Sequence, residues 1–167
     1  MNGQPPVRES FWRRWVVNPV LAQLSQGTEP RKIALAIAFG ITIGLFPVLG
    51  TPTLVSLGVG VALRLNQPIL QVFREIAYPL HLATVLVFIK AGETLYGVPH
   101  TPLTIKMIFH KFSASPLQFT KDYGMLAVYA VSVWLLVAPL LLALLHYGTL
   151  PLVTRLSNRL TQARHAA

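Results

Sequence analysis

One uncharged stretch constrains the fold of this chain more than any other feature. It runs from Ile33 to Leu63, and as one straight helix it would extend about 46 Å, well beyond the roughly 30 Å hydrocarbon core of a bilayer. The segment Pro47-Val48-Leu49-Gly50-Thr51-Pro52 interrupts it near its middle. Because proline ends or kinks a helix, we expect two short legs that fold back as a helical hairpin.

Each leg of this hairpin is too short to cross a bilayer alone. The first leg, Ile33–Phe46, would reach about 21 Å, and the second, Thr53–Leu63, about 16 Å. The sequence therefore predicts a broken hairpin and leaves open whether it is re-entrant or crosses the membrane fully. Small residues recur every four positions on both legs, which favours close contact between backbones. They are Ala36, Gly40 and Gly44 on the first leg and Ser56 and Gly60 on the second.

Three further regions complete the predicted fold. Residues 68–96 form a helix that Pro79 kinks, and residues 124–147 form an uncharged transmembrane helix of about 36 Å. Between them, residues 97–121 form a loop with one short amphipathic piece at Leu103–Phe112. The predicted fold class is an all-α integral membrane protein. It has the broken hairpin, two further membrane helices and amphipathic surface helices at the termini.

Composition and charge support this interpretation. Hydrophobic residues make up 53% of the chain and charged residues only 11%, which leaves a soluble helical protein with an unusually apolar core as the alternative. The net charge of +9 would also suit nucleic acid. However, the basic residues flank the apolar runs, as the positive-inside rule expects of cytoplasmic segments. They are Arg8, Arg13, Arg14, Arg31 and Lys32 before the first run and Arg155, Arg159 and Arg164 after the last.

This charge distribution predicts the domain organisation. We expect a cytoplasmic interfacial segment at 1–32, a membrane domain at 33–147 that starts with the hairpin 33–63, and a basic amphipathic cytoplasmic tail at 148–167. Both termini then lie on the cytoplasmic side of a multi-pass protein. The basic flanks predict contact with the lipid bilayer and its anionic headgroups rather than with nucleic acid.

Three local signatures within residues 33–97 resemble a bacterial family of membrane proteins catalogued as domain of unknown function two thousand sixty-two. They are the Ala/Gly-rich stretch at 33–52, the triplet Arg64-Leu65-Asn66 and the ending Gly92-Glu93-Thr94-Leu95-Tyr96-Gly97. Where this family usually has an Asn-Pro-x-Thr element, the chain reads Tyr78-Pro79-Leu80-His81. The resemblance implies a bacterial inner-membrane protein whose relatives are sometimes fused to glycosyltransferase domains. It implies no established activity, and therefore no catalytic residues.

The break in the hairpin is the first candidate ligand-binding site, with Gly50, Thr51 and Thr53. Thr51 is expected to cap the second leg, which leaves the free backbone amides of its first turn at the positive end of the helix dipole. Broken helices with this arrangement bind anionic substrates in transporters. The alternative is a purely structural turn.

A polar stripe on the following helix is the second candidate site. Helical spacing puts its residues largely on one face: Gln71, Arg74, Glu75, Tyr78 and His81. Arg74 would bind a phosphate or carboxylate, and Glu75 or His81 would carry a proton. The alternative places Arg74 and Glu75 at the membrane interface, solvated or paired. Arg64 and Asn66 complete the candidate set, although Arg64 also fits a helix-end residue that reaches the interface.

The sequence offers no recognisable catalytic constellation. It has no cysteine, its histidines lack metal-ligand spacing, and it contains only five acidic residues and no Gly-x-Ser-x-Gly element. We therefore predict no enzymatic activity, no metal and no cofactor. Lys90 and Glu93 are expected to form a surface pair.

The leading functional hypothesis is transport or handling of an anionic lipid or small anion through a re-entrant hairpin. In this hypothesis the hairpin tip and the stripe from Arg74 to His81 line one polar cavity. The alternative is a non-catalytic membrane scaffold or anchor for an enzyme of envelope glycan or lipid synthesis. A homo-oligomer formed through the small-residue faces is a further expected partner.

Overall fold

All regular secondary structure in the described part of the chain is helical. A computed structural model describes residue 10 and residues 13–165, so the outermost parts of the predicted interfacial segment and tail, 1–9, 11–12 and 166–167, lie outside the described residues. A π-helical turn at Arg13–Val17 leads into the first of six α-helices. They are α1 (Asn18–Ser25), α2 (Pro30–Gly44), α3 (Pro52–Ala62), α4 (Gln67–Tyr96), α5 (Ile105–Ala114) and α6 (Pro116–His165).

Helix α2 packs on both α4 and α6, and these two helices also pack on each other. The glycines of α2 make its contact with α4 possible, because a Cβ at Gly40 would lie 2.6 Å from the backbone oxygen of Leu70, and one at Gly44 would lie 2.7 Å from Cβ of Ala77. Only a residue without a side chain permits such an approach. The predicted close packing of small residues is therefore present, and its main partner is α4 rather than the other leg.

The predicted break in the hairpin is confirmed. Helix α2 ends at Gly44 and α3 begins at Pro52, with Gly50 in the intervening turn at φ +78°. That backbone conformation is open to glycine without strain. The chain reverses here, because Leu65 beyond α3 packs in the same hydrophobic cluster as Ile33 at the start of α2.

Two hydrophobic clusters define the two ends of the molecule. The first joins Val20 of α1, Ile33 of α2, Ile69 of α4 and Val153 of α6, and we refer to it as the terminal end. The second cluster defines the α5 end, where the last part of α4 meets α5 and the first part of α6. Its buried members are Val85, Ile89, Leu103, Ile108 and Ala130, with Leu49 of the hairpin turn packed against them.

The predicted boundaries hold for α4 and α5 but not for α6. Helix α4 contains Pro79 and follows the predicted range of 68–96, and α5 occupies most of the predicted amphipathic piece. The separation of a transmembrane helix at 124–147 from a tail helix at 148–167 is wrong, since α6 is continuous through Pro151. A proline inside a helix costs about 3 kcal/mol, but Val153, Leu156 and Leu160 pack at the terminal end and offset it.

The surface of the helices carries many large apolar side chains. Within the described residues, α4 and the Pro116–Gln162 part of α6 are long and apolar enough to cross a membrane by length and composition. Exposed apolar side chains occur on both helices and on α3. They include Leu54, Val61, Leu80, Val87, Leu136, Leu140 and Leu144.

Candidate functional site

Arg74 is the centre of a polar seam between α3 and α4, made of Ser56, Gln67, Gln71, Arg74 and Glu75. Its side chain is buried, its Nε donates a hydrogen bond of 2.9 Å to Oε1 of Gln71, and its Nη2 forms an ion pair with Glu75. The Glu75 side chain is 62% exposed. The charge of Arg74 is thus paired, while one face of its partner remains open.

Gln71 connects this ion pair to the second leg of the hairpin. Its Nε2 donates to Oγ of Ser56 over 3.2 Å, and the Ser56 hydroxyl, which is fully buried, donates to the backbone oxygen of Thr53 over 2.8 Å. Gln67 Nε2 donates to the backbone oxygen of Leu57. Polar groups therefore hold α3 on α4, and the structure brings Gln71, Arg74 and Glu75 together as the stripe predicts.

Tyr78 and His81 belong to a different part of α4. The His81 side chain is 1% exposed, its ring stacks on Tyr78 with centroids 5.8 Å apart, and it lies beside the backbone of Gly44. Its Nδ1 has no hydrogen-bond partner among the described residues. His81 thus contacts the end of α2 rather than the polar seam.

Arg64 and Asn66 form the turn between α3 and α4. Asn66 caps α4, since its Oδ1 accepts a hydrogen bond of 3.2 Å from the backbone N–H of Ile69 while its Nδ2 donates to Gln23 of α1. Arg64 is exposed and has φ +52°, and the following N–H of Leu65 bonds the carbonyl of Gly60 over 2.8 Å. Both residues lie at the terminal end and shape the chain there.

The predicted Thr51 cap is wrong. Thr51 is the N-cap residue of α3, but its Oγ1 donates to the backbone oxygen of Val48 over 2.9 Å and makes no capping bond. The backbone is the reason, because φ −98° and ψ −20° at Thr51 differ from the extended conformation that aims a capping side chain at the next turn. The Thr51 hydroxyl closes the hairpin turn instead.

A cavity lies directly beside this turn, at the α5 end. Its volume is 280 Å³, and it lies between the hairpin turn, α4, the segment leading into α5, α5 itself and the first part of α6. We call it the tip cavity. Its lining residues are Pro47, Val48, Leu49, Thr51, Val85, Ile89, Leu103, Ile108, Phe112, Phe119, Thr120, Tyr123, Gly124, Leu126 and Ala127. Thr51 is its one residue from the candidate set.

The tip cavity is apolar, which differs from the polar cavity expected from the sequence. Thr51, Thr120 and Tyr123 supply the hydroxyl groups of its lining, and the other lining side chains are hydrocarbon. None of the stripe residues from Gln71 to His81 lines it. The hairpin tip and the stripe therefore do not share this cavity.

Tyr123, one of the residues that line the tip cavity, binds the side chain of Lys111. Nζ of Lys111 lies 2.7 Å from Oη of Tyr123 and 5.0 Å from the centroid of the same ring. Lys106 and Lys121 are also exposed at the α5 end, and Asp122 nearby is engaged by Gln118. A cationic group is therefore bound to a residue that lines an apolar cavity.

Glu93 positions the segment that leads into α5. Its side chain is fully buried, one carboxylate oxygen accepts the backbone N–H of Thr101 over 2.8 Å, and the other lies 3.0 Å from Nδ1 of His100. The expected surface pair of Glu93 with Lys90 is therefore wrong. These bonds hold the chain after α4 over the α5 end, next to the tip cavity.

Comparison with known protein families gives one match. The model of a family described as uncharacterized protein conserved in bacteria, DUF2062, matches residues 12–166. The chain belongs to this family. The match extends well beyond the signatures at 33–97 and includes all the helices that line the tip cavity. No curated protein and no solved structure matches the chain.

The tip cavity of this DUF2062 member was not predicted from the sequence. It is lined by short apolar pieces of separate segments, and each piece alone resembles an ordinary buried face. One signal was available, since the predicted amphipathic helix at Leu103–Phe112 must place its apolar face against something. In the structure that face covers the hairpin tip through Ile108 and Phe112.

Proposed function

We propose that this chain is a multi-pass protein of the bacterial inner membrane that handles an anionic lipid, which it binds in the tip cavity. The tip cavity is the observation that carries the proposal. It is apolar, it lies at the end of a broken hairpin, and one of its lining residues, Tyr123, binds Lys111. A hydrocarbon chain would fill it while an anionic headgroup remains near the charge.

The surface of the molecule supports a position in the membrane. Large apolar side chains such as Leu54 on α3 and Leu136 on α6 are about 70% exposed, and in water they would be unfavourable. The terminal end carries exposed basic residues. These are Arg13, Arg14, Arg31, Lys32, Arg64, Arg155 and Arg159. With this end at the cytoplasmic surface, α4 and α6 both cross and both termini are cytoplasmic.

The positions at which the hairpin contacts α4 support a re-entrant hairpin. Gly40 meets α4 at Leu70, Gly44 meets it at Ala77, and Leu49 in the turn packs beside Ile89. Helix α4 continues to Tyr96, which places its end about 10 Å beyond the turn. The hairpin therefore turns inside the thickness that α4 spans, and α5 covers it from the far side.

Filling the tip cavity tests the proposal. Gly124 and Gly148 are both in α6, and a Cβ at either would meet nothing within 4 Å, but only Gly124 lines the tip cavity. With phosphatidylglycerol and lysophosphatidylglycerol as probes, Gly124→Leu should reduce binding of at least one of them to the purified chain at least tenfold, measured by native mass spectrometry. Gly148→Leu is the matched control and should bind as the unaltered chain does. Ala127→Phe provides a second filling variant at the same wall.

Equal binding by the filled variants, Gly148→Leu and the unaltered chain would overturn the proposal. A folding control is needed for each variant, because substitutions in α6 also affect its packing on α2. Circular dichroism and size-exclusion profiles in the same detergent provide it. A variant that remains helical and monodisperse but has lost the lipid supports the assignment of the site.

A scaffold for an envelope-synthesis enzyme is the second candidate, and Glu75 is the observation that favours it. A carboxylate that is 62% exposed on α4 is unfavourable in lipid unless another protein or water covers it. A photo-crosslinking amino acid at position 75, introduced at native expression, should capture one defined protein if the chain is a scaffold. Capture of lipid alone would reject this candidate.

A further inference from the structure

The volume of the tip cavity limits what it can hold. An apolar cavity of about 150 Å³ holds one benzene molecule, so 280 Å³ provides room for about a dozen carbon atoms. That is enough for much of one hydrocarbon chain and too little for the two chains of a bilayer phospholipid. The cavity therefore has room for one chain, and the second chain of a diacyl lipid would have to remain outside it.

The walls give the cavity little freedom to widen. Phe119 packs edge-to-face on Phe112 with centroids 5.7 Å apart, and it packs on Tyr123 at 5.0 Å. These three rings join α5 to α6 across the cavity. On the opposite side, Val85 and Ile89 of α4 are buried in the hydrophobic cluster of the α5 end. A second chain would have to separate packed aromatic rings, which is unfavourable in a well-packed interior.

Lys111 indicates the chemistry of the ligand's headgroup. An ammonium group has three N–H donors, and Lys111 directs one of them to Oη of Tyr123. The others remain for anionic oxygens. Tyr123 lines the cavity and holds Lys111 at the same time, so a chain inside the cavity places its headgroup beside the ammonium group.

We infer that the ligand of the tip cavity is a single-chain anionic amphiphile, with its hydrocarbon chain in the cavity and its phosphate or carboxylate on Lys111. This inference rests on the proposed lipid handling and narrows it to one chemical class. A fatty acid, a lysophospholipid and a polyprenyl phosphate share this chemistry. All three present one chain and one anionic head.

The test compares ligands on the full chain in nanodiscs of zwitterionic diacyl lipid. The probes are lysophosphatidylglycerols of increasing chain length, diacyl phosphatidylglycerol, lysophosphatidylcholine, a free fatty acid and geranylgeranyl phosphate. Affinity for the lysophosphatidylglycerols should rise up to about fourfold per methylene and stop rising at about a dozen carbons. The diacyl lipid and lysophosphatidylcholine should each bind at least tenfold more weakly than the best lysophosphatidylglycerol.

Paired variants test the headgroup contact. Lys111→Gln should remove most of the preference for lysophosphatidylglycerol over lysophosphatidylcholine. Lys106→Gln on the same helix also removes an exposed charge, but Lys106, unlike Lys111, is not bonded to the lining residue Tyr123, so this variant should keep the preference. Comparison of the fatty acid, the lysophospholipid and the polyprenyl phosphate then identifies which source of this chemistry binds most tightly.

The outcomes separate this inference from the proposed function. Equal or tighter binding of the diacyl lipid, with loss in Gly124→Leu, overturns the single-chain inference and leaves lipid handling in place. Equal binding of the two lysolipids overturns the role of Lys111. If no probe binds, and Gly124→Leu changes nothing, lipid binding in the tip cavity itself is wrong.

Discussion

Lys111 of α5 and Tyr123 of α6 hold each other at the wall of the tip cavity, with Nζ 2.7 Å from Oη and 5.0 Å from the ring centroid. Two attractions act together, a hydrogen bond to the hydroxyl and the attraction of a cation to an aromatic face. The contact joins α5, which covers the hairpin turn, to α6, which also lines the tip cavity. Tyr123→Phe keeps the ring and removes the hydroxyl. The attraction between the ring and the Lys111 ammonium group should remain, but Nζ should no longer be fixed in its present position.

Gly40 of α2 and Gly58 of α3 should differ strongly in the effect of the same substitution on stability. Gly40→Ala puts a methyl group against the backbone oxygen of Leu70, which cannot move without shifting α4. We expect a loss of about 2 kcal/mol in the free energy of unfolding. Gly58→Ala on α3 meets nothing within 4 Å and should instead stabilise by about 0.5 kcal/mol. Unfolding in mixed detergent micelles measures both free energies. A Gly40→Ala chain at least as stable as the Gly58→Ala chain would contradict the packing of α2 on α4.

Arg64 predicts a stabilising substitution. Its φ of +52° is unfavourable for a residue with a side chain by roughly 1–2 kcal/mol, and glycine has no such penalty at the end of a helix. Arg64→Gly should therefore raise the free energy of unfolding by about 1 kcal/mol. Arg159→Gly is the control, since the same change inside α6 should lower it by about 1 kcal/mol. A loss of stability in Arg64→Gly would indicate that its charge, rather than the turn, is important.

The two hydrogen bonds of Asn66, the cap on Ile69 and the bond to Gln23, should contribute separately to stability. Asn66→Ala removes both the cap on Ile69 and the bond to Gln23, and it should destabilise the chain by about 1–2 kcal/mol. Asn66→Ser keeps a capping oxygen but cannot reach Gln23 in the same way, so it should recover part of the loss. Thermal unfolding of the three proteins in one detergent compares them. Equal stability of Asn66→Ala and the unaltered chain would rule out a structural role for this residue.

Removal of the Glu93 side chain should allow local opening at the α5 end. Glu93→Ala leaves the half-buried backbone N–H of Thr101 without its acceptor, which costs up to about 1–3 kcal/mol, the range for a buried donor. Hydrogen exchange should become faster at Thr101 and in α5, with little change in α2. Lys90→Ala is an exposed control on the same helix and should leave the exchange rates unchanged. Unaltered exchange at Thr101 in Glu93→Ala would contradict the proposed anchoring of this segment.

The sequence predicted the parts of the fold that local chemistry determines. Pro47, Gly50 and Pro52 end α2 and start α3 whatever surrounds them, because proline and glycine act on the backbone directly. The polar stripe was predictable for a similar reason, since helical spacing alone places Gln71 and Arg74 on one face. The family resemblance also came from contiguous residues, and the match over residues 12–166 confirms it.

The remaining features depend on contacts between distant segments. The continuity of α6 through Pro151 depends on Val153 packing with α1 and α2 at the terminal end, which no local pattern contains. The tip cavity depends on Leu49, Val85, Phe112 and Tyr123 meeting from separate parts of the chain. The direction of the Thr51 hydroxyl was set by two backbone angles in the turn.

The position of the hairpin tip inside the membrane, beside a cavity that takes a lipid chain, is the central claim. The chain has no cysteine, so single cysteines can report accessibility without interference. Leu49→Cys at the cavity and Lys106→Cys on exposed α5 would be treated in intact membranes with a maleimide that cannot cross the bilayer. We predict that position 106 reacts within minutes while position 49 remains at least a hundredfold slower. Equal reaction rates at the two positions would contradict the claim.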